Sequence, residues 1–280
     1  MTKLILNRRG LLAATLAFAA GPVLARAAVS TSTTTLKVGD RDVELTILRP
    51  EAPKGIIIFS HGAGGWPAPY KALFDLWTGA GFMIVAPLHV DSQKHPKRAD
   101  YDLRAAFPLR LADLAAATDY AEKAAPGLSM ASAGHSYGSL MSMIRAGALE
   151  GMIPAQDPRT KAALCFSSPG VIKGLIGPTA FQGLKKPMMM ITGDQDVLPG
   201  MIEDWHEHVY PFDTSAPGGK YLWVGKGVGH GLSYHPEAQG FAEASALSVA
   251  FLKAKVLGDA GAEAVLAAQT STALADWKTR

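Results

Sequence analysis

Six short apolar runs, separated by stretches with helical character, constrain the fold of this chain more than any other feature. Each run is continuously apolar instead of alternating, which is typical of strands buried on both faces of a sheet. The runs are Gly55–Ser60, Gly81–Pro87, Leu128–Ala133, Ala162–Phe166, Pro187–Thr192 and Tyr221–Val224. The helical stretches are Tyr70–Thr78, Asp102–Lys123, Ser139–Ala148, Gly200–Val209 and Glu237–Leu257. Strand and helix in alternation predict an α/β fold whose mostly parallel sheet is covered by helices on both faces.

The two ends of this region have different patterns. Leu36–Val38 and Val43–Leu48 alternate apolar and polar residues around Gly39-Asp40, which predicts an antiparallel hairpin at the edge of the sheet. Residues 261–277 indicate one more amphipathic helix. Neither a repeat nor a Pro/Gly-rich linker divides the chain, so we expect residues 28–280 to form a single domain.

Residues 1–27 have the layout of an export signal. The pair Arg8-Arg9 precedes an apolar run, residues 11–24, that is too short and too rich in alanine to span a bilayer comfortably. Ala25-Arg26-Ala27 then supplies the small residues that a signal peptidase requires. The segment resembles a twin-arginine signal of bacteria. We therefore expect the export machinery as a partner and a periplasmic or secreted mature chain that begins near Ala28 and has no stable membrane span.

The charge balance argues against a large basic surface. The 280 residues include 27 Lys and Arg against 24 Asp and Glu. Four of the basic residues lie in the first 27 positions, which hold no acidic residue, so the remainder is close to neutral. A nucleic-acid partner is therefore not expected. The glycine-rich stretch Gly225–Gly229 lacks the spacing of a dinucleotide-binding or phosphate-binding loop, and we predict no cofactor.

A serine in a glycine-rich turn is the strongest candidate for a catalytic residue. The sequence Gly134-His135-Ser136-Tyr137-Gly138 follows the third apolar run and precedes a helical stretch. A G-x-S-x-G pattern between strand and helix is typical of a nucleophile exposed on a sharp turn. The glycines let strand and helix approach closely, and the helix start favours negative charge near Ser136. We predict that Ser136 is the nucleophile.

A serine hydroxyl needs a base to remove its proton, and that base needs a carboxylate to orient it. His230 lies between two glycines after the last apolar run and is the predicted base. Two carboxylates follow the run Pro187–Thr192. Asp196 precedes an apolar pair and is preferred as the orienting acid. Asp194 is nearer the strand and remains the alternative, although it could instead form a turn with its own backbone.

The first apolar run ends in another glycine-rich loop, His61-Gly62-Ala63-Gly64-Gly65. A loop of this kind can direct a backbone N–H at the oxyanion that develops during acyl transfer. The residue after a nucleophilic serine usually supplies the second donor. We therefore predict the N–H groups of Ala63 and Tyr137 as an oxyanion hole.

The chain order Ser136, Asp196, His230 is that of serine α/β-hydrolases. With the loop at His61, the region from about Leu36 to Leu257 resembles this superfamily, and more narrowly the dienelactone-hydrolase-like and platelet-activating-factor-acetylhydrolase-like esterases. The resemblance implies an α/β-hydrolase fold and a serine esterase activity. Dienelactone hydrolases proper use a cysteine nucleophile, so their substrate is not carried over to this chain. The short connection between the fourth and fifth runs predicts a small or absent cap.

Three other residues have weaker signals. Trp66, beside the glycine-rich loop, and His89, after the run Gly81–Pro87, are candidate pocket residues. His89 could equally lie in a solvated loop. Cys165 lies inside an apolar run and is expected to be a buried structural thiol.

Two pairs of polar residues are not assigned to the site. His206 and His208 are two positions apart and do not share a helix face, so no metal is predicted. Arg110 and Asp113 share one face of a predicted helix, and we expect them to form a surface ion pair.

These observations together predict an exported serine esterase that hydrolyses small or polymeric carboxylic esters through an acyl-enzyme. Two alternatives remain open. The same three residue types can support acyl transfer to another acceptor or a perhydrolase activity of the haloperoxidase kind. A non-catalytic extracytoplasmic binding protein would keep the fold without the chemistry.

Overall fold

The computed structural model describes residues 29–280, and the strands of this part of the chain form one nine-stranded sheet. The strands are β1 (Val29–Val38), β2 (Arg41–Pro50), β3 (Gly55–Ser60), β4 (Phe82–Pro87), β5 (Met130–His135), β6 (Thr160–Phe166), β7 (Met188–Gly193), β8 (Lys220–Gly225) and β9 (Ala275–Thr279). Their order across the sheet is β1-β2-β4-β3-β5-β6-β7-β8-β9. The predicted export signal, residues 1–27, lies outside the described residues.

Helices cover both faces of the sheet. On one face lie α1 (Lys71–Gly79), α5 (Phe241–Leu257) and α6 (Ala260–Ala268); on the other lie α2 (Leu103–Ala124), α3 (Tyr137–Arg145) and α4 (Tyr210–Thr214). Successive side chains of a strand serve the two layers in turn. In β3, for example, Ile56 and Ile58 pack with the α2 side, whereas Ile57 and Phe59 pack with the α1 side. Burial on both faces explains why the sequence runs are continuously apolar.

The six central strands are parallel, so their carboxyl ends lie at one edge of the sheet. This arrangement confirms the predicted fold class. The loops at that edge follow β3, β5, β7 and β8, and they carry His61, Ser136, Asp196 and His230. In sheets of this kind the crevice at the carboxyl edge is where ligands bind.

The edges of the sheet are antiparallel. The predicted hairpin is present, and both strands are longer than expected: β1 includes Ser30–Thr35, and β2 extends to Pro50. Beyond α6, the prediction of a helix through residue 277 is wrong. The strand β9 pairs there with the outer side of β8, and Trp277 packs on Tyr221 with ring centroids 5.7 Å apart. An unpaired edge of β8 would leave backbone N–H and C=O groups without partners, which β9 supplies.

Two connections bear on the site. Residues 167–187, between β6 and β7, consist of turns and irregular segments without a helix or strand, in agreement with the predicted small or absent cap. The predicted helix Gly200–Val209 is instead a 3₁₀ turn, Trp205–Val209, that leads into α4. Within residues 29–280, no helix combines the length and the apolar character required to cross a bilayer.

Candidate active site

Ser136 lies on a strained turn between β5 and α3. Its backbone has φ 53° and ψ −120°, a conformation that non-glycine residues rarely adopt and that costs roughly 1–3 kcal/mol. Glycines make the turn sterically feasible, because a Cβ on Gly138 would lie 1.9 Å from the carbonyl oxygen of Ser60. The N–H of Ser136 donates to the Phe166 carbonyl at 2.8 Å. The strand–turn–helix context predicted for this serine is therefore observed.

His230 and Asp196 are brought together by the loops that follow β8 and β7. The Nδ1–H of His230 donates to Oδ1 of Asp196 at 2.7 Å, and this contact leaves Nε2 as the basic nitrogen of the neutral ring. Asp196 has no exposed surface, and its Oδ2 accepts from the Thr192 hydroxyl at 2.7 Å. A buried carboxylate held by two donors in this way fixes both the orientation and the tautomer of the imidazole.

Asp194, the alternative candidate for the acid, contacts a backbone N–H and not the His230 ring. Its Oδ1 accepts from the N–H of Gly227 at 2.6 Å, so it links its own loop to the loop that carries His230. These two loops approach closely because Gly193 has no side chain: a Cβ there would lie 2.0 Å from the Val228 carbonyl oxygen. The structure thus puts Asp196 against the histidine, whereas the Asp194 side chain links the two loops and, within the described residues, forms no turn with its own backbone.

A second histidine, His208, contacts the same carboxylate and was not assigned to the site from sequence. Its Nε2 donates to Oδ1 of Asp196 at 3.0 Å and to the Asp196 carbonyl at 2.8 Å, and its Nδ1 donates to the carbonyl of Ser168. All three partners are acceptors only, so both ring nitrogens of this fully buried residue carry protons. Burial by itself lowers the pKa of His208, but the hydrogen bond and charge of Asp196 outweigh that effect and raise it.

The same contacts act on Asp196 in the opposite direction. Burial raises the pKa of the carboxyl group, but hydrogen bonds from His208 and His230 outweigh burial and hold it far below its usual range. Asp196 is therefore ionised throughout the neutral range. Sequence spacing could not reveal this group, because only the 3₁₀ turn at Trp205–Val209 directs His208 inward while His206 stays exposed.

Asp196, His208 and His230 have donor atoms within 4.8 Å of one another, a spacing compatible with a metal site. Metal-binding imidazoles must be deprotonated at the ligating nitrogen. Here the Nε2 of His208 holds a proton between two oxygens of Asp196, and the Nδ1 of His230 donates to the same carboxylate. In the structure these three side chains are joined by hydrogen bonds.

His135 connects three loops of the site. Burial, mainly, lowers its pKa to about 3, so the ring is neutral. Its Nε2–H donates to the His230 carbonyl at 2.9 Å, and its Nδ1 accepts from the Tyr70 hydroxyl at 3.0 Å. The Tyr70 oxygen accepts in turn from the N–H of Gly62 at 3.2 Å. The turn at Ser136, the loop that carries His230 and the glycine-rich loop are thus held in one arrangement.

His230 packs against the residue that precedes Ser136. The rings of His135 and His230 have centroids 4.8 Å apart, and His135 directly precedes Ser136. Within residues 29–280, no hydrogen bond joins the Ser136 hydroxyl to the His230 ring. Such contacts are often long in unliganded enzymes and shorten when substrate binds.

Two backbone N–H groups beside Ser136 are free to bind an anion. Among the described residues, the N–H of Ala63 and the N–H of Tyr137 form no hydrogen bond. Ala63 is exposed, and Tyr137 is the first residue of α3, where helix N–H groups have no partner within the helix. Gly62 lies against Ser136, since a Cβ built on Gly62 would be 3.5 Å from the Cβ of Ser136. These positions fit the predicted oxyanion hole.

The candidate pocket residues have different environments. Trp66 is half-buried, and the Nζ of Lys94 lies 5.1 Å from its ring centroid. His89 has no exposed surface; its Nδ1–H donates to Asp113 at 2.9 Å, and its Nε2 accepts from the Ser60 hydroxyl at 2.9 Å. The expectation that His89 lines an accessible wall or a solvated loop is therefore wrong, because the side chain is enclosed behind the ends of the strands.

The expected surface pair of Arg110 and Asp113 is also wrong. Neither residue has exposed surface, and each has another partner. Arg110 pairs with Asp91 at 2.8 Å, whereas Asp113 pairs with Arg41 at 2.7 Å and with His89. Helix spacing placed the two residues on one face, but it did not show that this face lies against the glycine-rich loop. The expectation for Cys165 agrees with the structure, where it is fully buried as a free thiol.

The parallel sheet, its two helical layers and the strained turn at Ser136 define an α/β-hydrolase fold. A cold-adapted esterase from an Arctic intertidal metagenomic library has a similar structure, with a TM-score of 0.61 at 19% sequence identity over 81% of this chain and 94% of that one. The dienelactone hydrolase of Anabaena variabilis has a TM-score of 0.59 at 18% identity, over 81% of this chain and 99% of its own. The protein TT1662 of Thermus thermophilus has a TM-score of 0.56 at 18% identity, over 81% and 98%.

No protein-family model and no curated protein matches the chain. At 18–19% identity, the structural likeness establishes the fold. Activity has to be argued from the site, because one fold serves many chemistries.

Proposed function

We propose that this protein is a serine hydrolase that cleaves carboxylic esters through an acyl-enzyme. The observation that carries the proposal is the buried Asp196–His230 pair beside the strained turn of Ser136. The esterase and dienelactone hydrolase among its structural neighbours support a hydrolase. The two free N–H groups of Ala63 and Tyr137 support acyl transfer in particular, since that reaction develops an oxyanion.

Acylation begins when Oγ of Ser136 attacks the ester carbonyl carbon and the Nε2 of His230 takes the hydroxyl proton. The carbonyl electrons move to oxygen, and the N–H groups of Ala63 and Tyr137 bind the resulting oxyanion. Asp196 stabilises the imidazolium that forms on His230. When the tetrahedral intermediate collapses, the bond to the alcohol oxygen breaks and His230 returns the proton to that oxygen.

Deacylation repeats these steps with water. His230 removes a proton from the water molecule as it attacks the acyl carbon, and a second oxyanion forms at the same N–H groups. Collapse breaks the bond to Ser136, and the histidine gives the proton back to the serine oxygen. The products are a carboxylic acid and an alcohol, and the enzyme is regenerated.

Substitution of Ser136 tests the proposal. We expect Ser136→Ala to abolish hydrolysis of p-nitrophenyl acetate and covalent labelling by a fluorophosphonate probe. Ser132→Ala is a matched control: Ser132 is buried in β5, and its hydroxyl has no hydrogen-bond partner within the described residues, so its loss should leave activity intact. Equal slow hydrolysis by wild type and Ser136→Ala would refute the enzyme proposal and favour a binding protein.

The substrate class is proposed from the entrance to the site. Residues 167–187 form no cap helix, which favours esters that are bulky or polymeric. We expect activity across p-nitrophenyl esters of increasing acyl length and no activation at an oil–water interface. A sharp rise in activity above the solubility limit of the substrate would contradict an uncapped site.

Export through the twin-arginine route is a separate proposal, supported by Arg8-Arg9 and the small residues at 25–27. We expect the mature protein in the periplasm or the medium of a bacterial host. Replacement of both arginines by lysine should retain the full-length precursor inside the cell, whereas the lysine at position 3 can be changed without this effect. Normal processing of the double variant would contradict the proposed route.

A further inference from the structure

Arg110 lies on α2 with no exposed surface and reaches the loop that carries one of the two free N–H groups. Its Nη1 donates to the His61 carbonyl at 2.7 Å, and its Nη2 donates to the Gly62 carbonyl at 3.0 Å. An arginine enclosed in this way is unusual, because a buried charge is costly unless it is paired. The hydrogen bonds of its side chain therefore indicate a role in fixing the conformation of the glycine-rich loop.

The Gly62 carbonyl and the Ala63 N–H belong to the same peptide unit. In a planar trans peptide the C=O and N–H bonds point in opposite directions. The Gly62 oxygen accepts from Arg110, from the Nδ1–H of His61 at 2.8 Å and from the N–H of Gly65 at 3.0 Å. Three donors on the inner side fix the plane of this peptide, so the N–H of Ala63 points the other way, to the exposed side of the loop.

Asp91 completes the arrangement. It accepts from Nε and Nη2 of Arg110 at 2.8 Å each, which is the two-pronged geometry that only a guanidinium provides. Its Oδ2 also accepts from the N–H of Gly64 at 3.2 Å. The ion pair thus holds the loop on both sides of Ala63 and leaves no net charge beneath it.

Arg110 also contacts the residue that supplies the second N–H. Its guanidinium carbon lies 4.6 Å from the centroid of the Tyr137 ring, in a cation–π contact, and the Tyr137 hydroxyl donates to the Leu103 carbonyl on the same helix α2. One buried side chain therefore contacts Tyr137 and the peptide unit that carries the Ala63 N–H.

We propose that Arg110, paired with Asp91, is the positioning residue of the oxyanion hole: it fixes the Gly62–Ala63 peptide so that the Ala63 N–H meets the developing oxyanion. The cation at the Gly62 oxygen also polarises the peptide and strengthens the N–H as a donor. The inference rests on the proposed esterase function. Arg110 does not touch the substrate, and it acts through the peptide that it holds.

The test compares Arg110→Lys with the matched control Arg145→Lys. Arg145 is also buried and ion-paired, to Asp157, but it lies at the end of α3 and contacts no residue of the glycine-rich loop. A lysine keeps the positive charge in both cases, and in Arg110→Lys it also loses the two-pronged contact with Asp91. Any difference between the variants therefore reports on the loop and not on the loss of a buried arginine.

Two readouts separate positioning from stability. For Arg110→Lys, we expect kcat on p-nitrophenyl acetate to fall by about 100-fold while KM changes little, since the affected contact forms only in the transition state. An aryl trifluoromethyl ketone adds to the catalytic serine and places an oxyanion in the same hole, so its Ki should rise in parallel. Arg145→Lys should leave both values per folded molecule unchanged.

The outcomes are decisive in either direction. Folded Arg110→Lys with wild-type kcat and Ki, or equal losses in Arg145→Lys, would overturn the inference. If Arg110→Lys does not fold, Asp91→Asn keeps the shape and one acceptor while removing the charge; it should lower kcat and weaken ketone binding in parallel, and wild-type values would overturn the inference. Failure of the esterase proposal is distinguishable, because Ser136→Ala would then retain activity.

Discussion

The role of Asp196 can be tested against that of its neighbour Asp194. Asp196 is fully buried and accepts from His230, His208 and Thr192, whereas Asp194 is partly exposed and accepts from the N–H of Gly227. Asparagine keeps the size and one acceptor oxygen at either position. The pair Asp196→Asn and Asp194→Asn therefore compares the loss of a carboxylate at the two positions with little change in side-chain size.

The expected magnitude follows from the geometry. Protonation of His230 in the transition state creates a positive charge about 4 Å from the centre of the Asp196 carboxylate, which at an effective dielectric constant of about 20 is worth about 4 kcal/mol. That energy corresponds to roughly a thousandfold in kcat. An amide can also favour the wrong tautomer of the imidazole, so the loss should reach about 10³- to 10⁴-fold.

The same substitution should destabilise the fold. Without the carboxylate, the buried imidazolium of His208 loses its counter-charge, and breaking a buried pair costs about 3–5 kcal/mol. Activity must therefore be expressed per folded molecule, with circular dichroism and urea unfolding measured on the same samples. Asp194→Asn keeps the acceptor for Gly227 and should change kcat by no more than about twofold.

The assay is steady-state hydrolysis of p-nitrophenyl acetate at neutral pH. If folded Asp196→Asn keeps more than a tenth of the wild-type kcat, the electrostatic argument is refuted. If Asp194→Asn shows the large loss instead, the acid has been assigned to the wrong residue.

Three further predictions concern the fold around the site. Gly138→Ala should prevent folding, because the Cβ of the alanine would lie 1.9 Å from the Ser60 carbonyl oxygen. A soluble variant with a native circular dichroism spectrum would contradict this prediction. Acid should destabilise the protein through His135, because burial lowers the pKa of its ring from 6.5 to about 3 and only the unfolded chain binds the proton between these values. The contribution of neutral His135 to the free energy of unfolding is complete above about pH 6.5. It falls by about 1.4 kcal/mol per pH unit as the pH is lowered toward 3. Urea unfolding between pH 7 and 4 measures that slope, and a flat profile, or an equal slope in His135→Gln, would contradict it. Burial raises the pKa of the Cys165 thiol, so a disulfide reagent should not modify the native protein at pH 8 and should modify it in urea.

Much of the architecture was accessible from local pattern. A strand buried on both faces must be continuously apolar, so runs such as Gly55–Ser60 identified the central strands, and alternation with helices predicted their parallel order. The turn at Ser136 was equally accessible, because only glycines permit its close contacts and these appear directly in the sequence. Failure came at the edge, where β9 replaces the second half of a predicted helix. The conformation of that segment is set by hydrogen bonding to the edge of β8 and not by its own hydrophobic period.

Hydrophobic period and glycine spacing are local properties, so the amino-acid sequence is enough to predict which residue types lie at which strand ends. Which of these residues meet depends on how the loops pack in the folded chain. Asp196 and Asp194 are two positions apart, yet only packing against the loop of His230 distinguishes them. The contacts of His208 with Asp196 and of Arg110 with Gly62 join segments 12 and 48 residues apart. Residues this far apart in the chain come into contact only when the whole sheet has formed, and no local sequence pattern encodes such contacts.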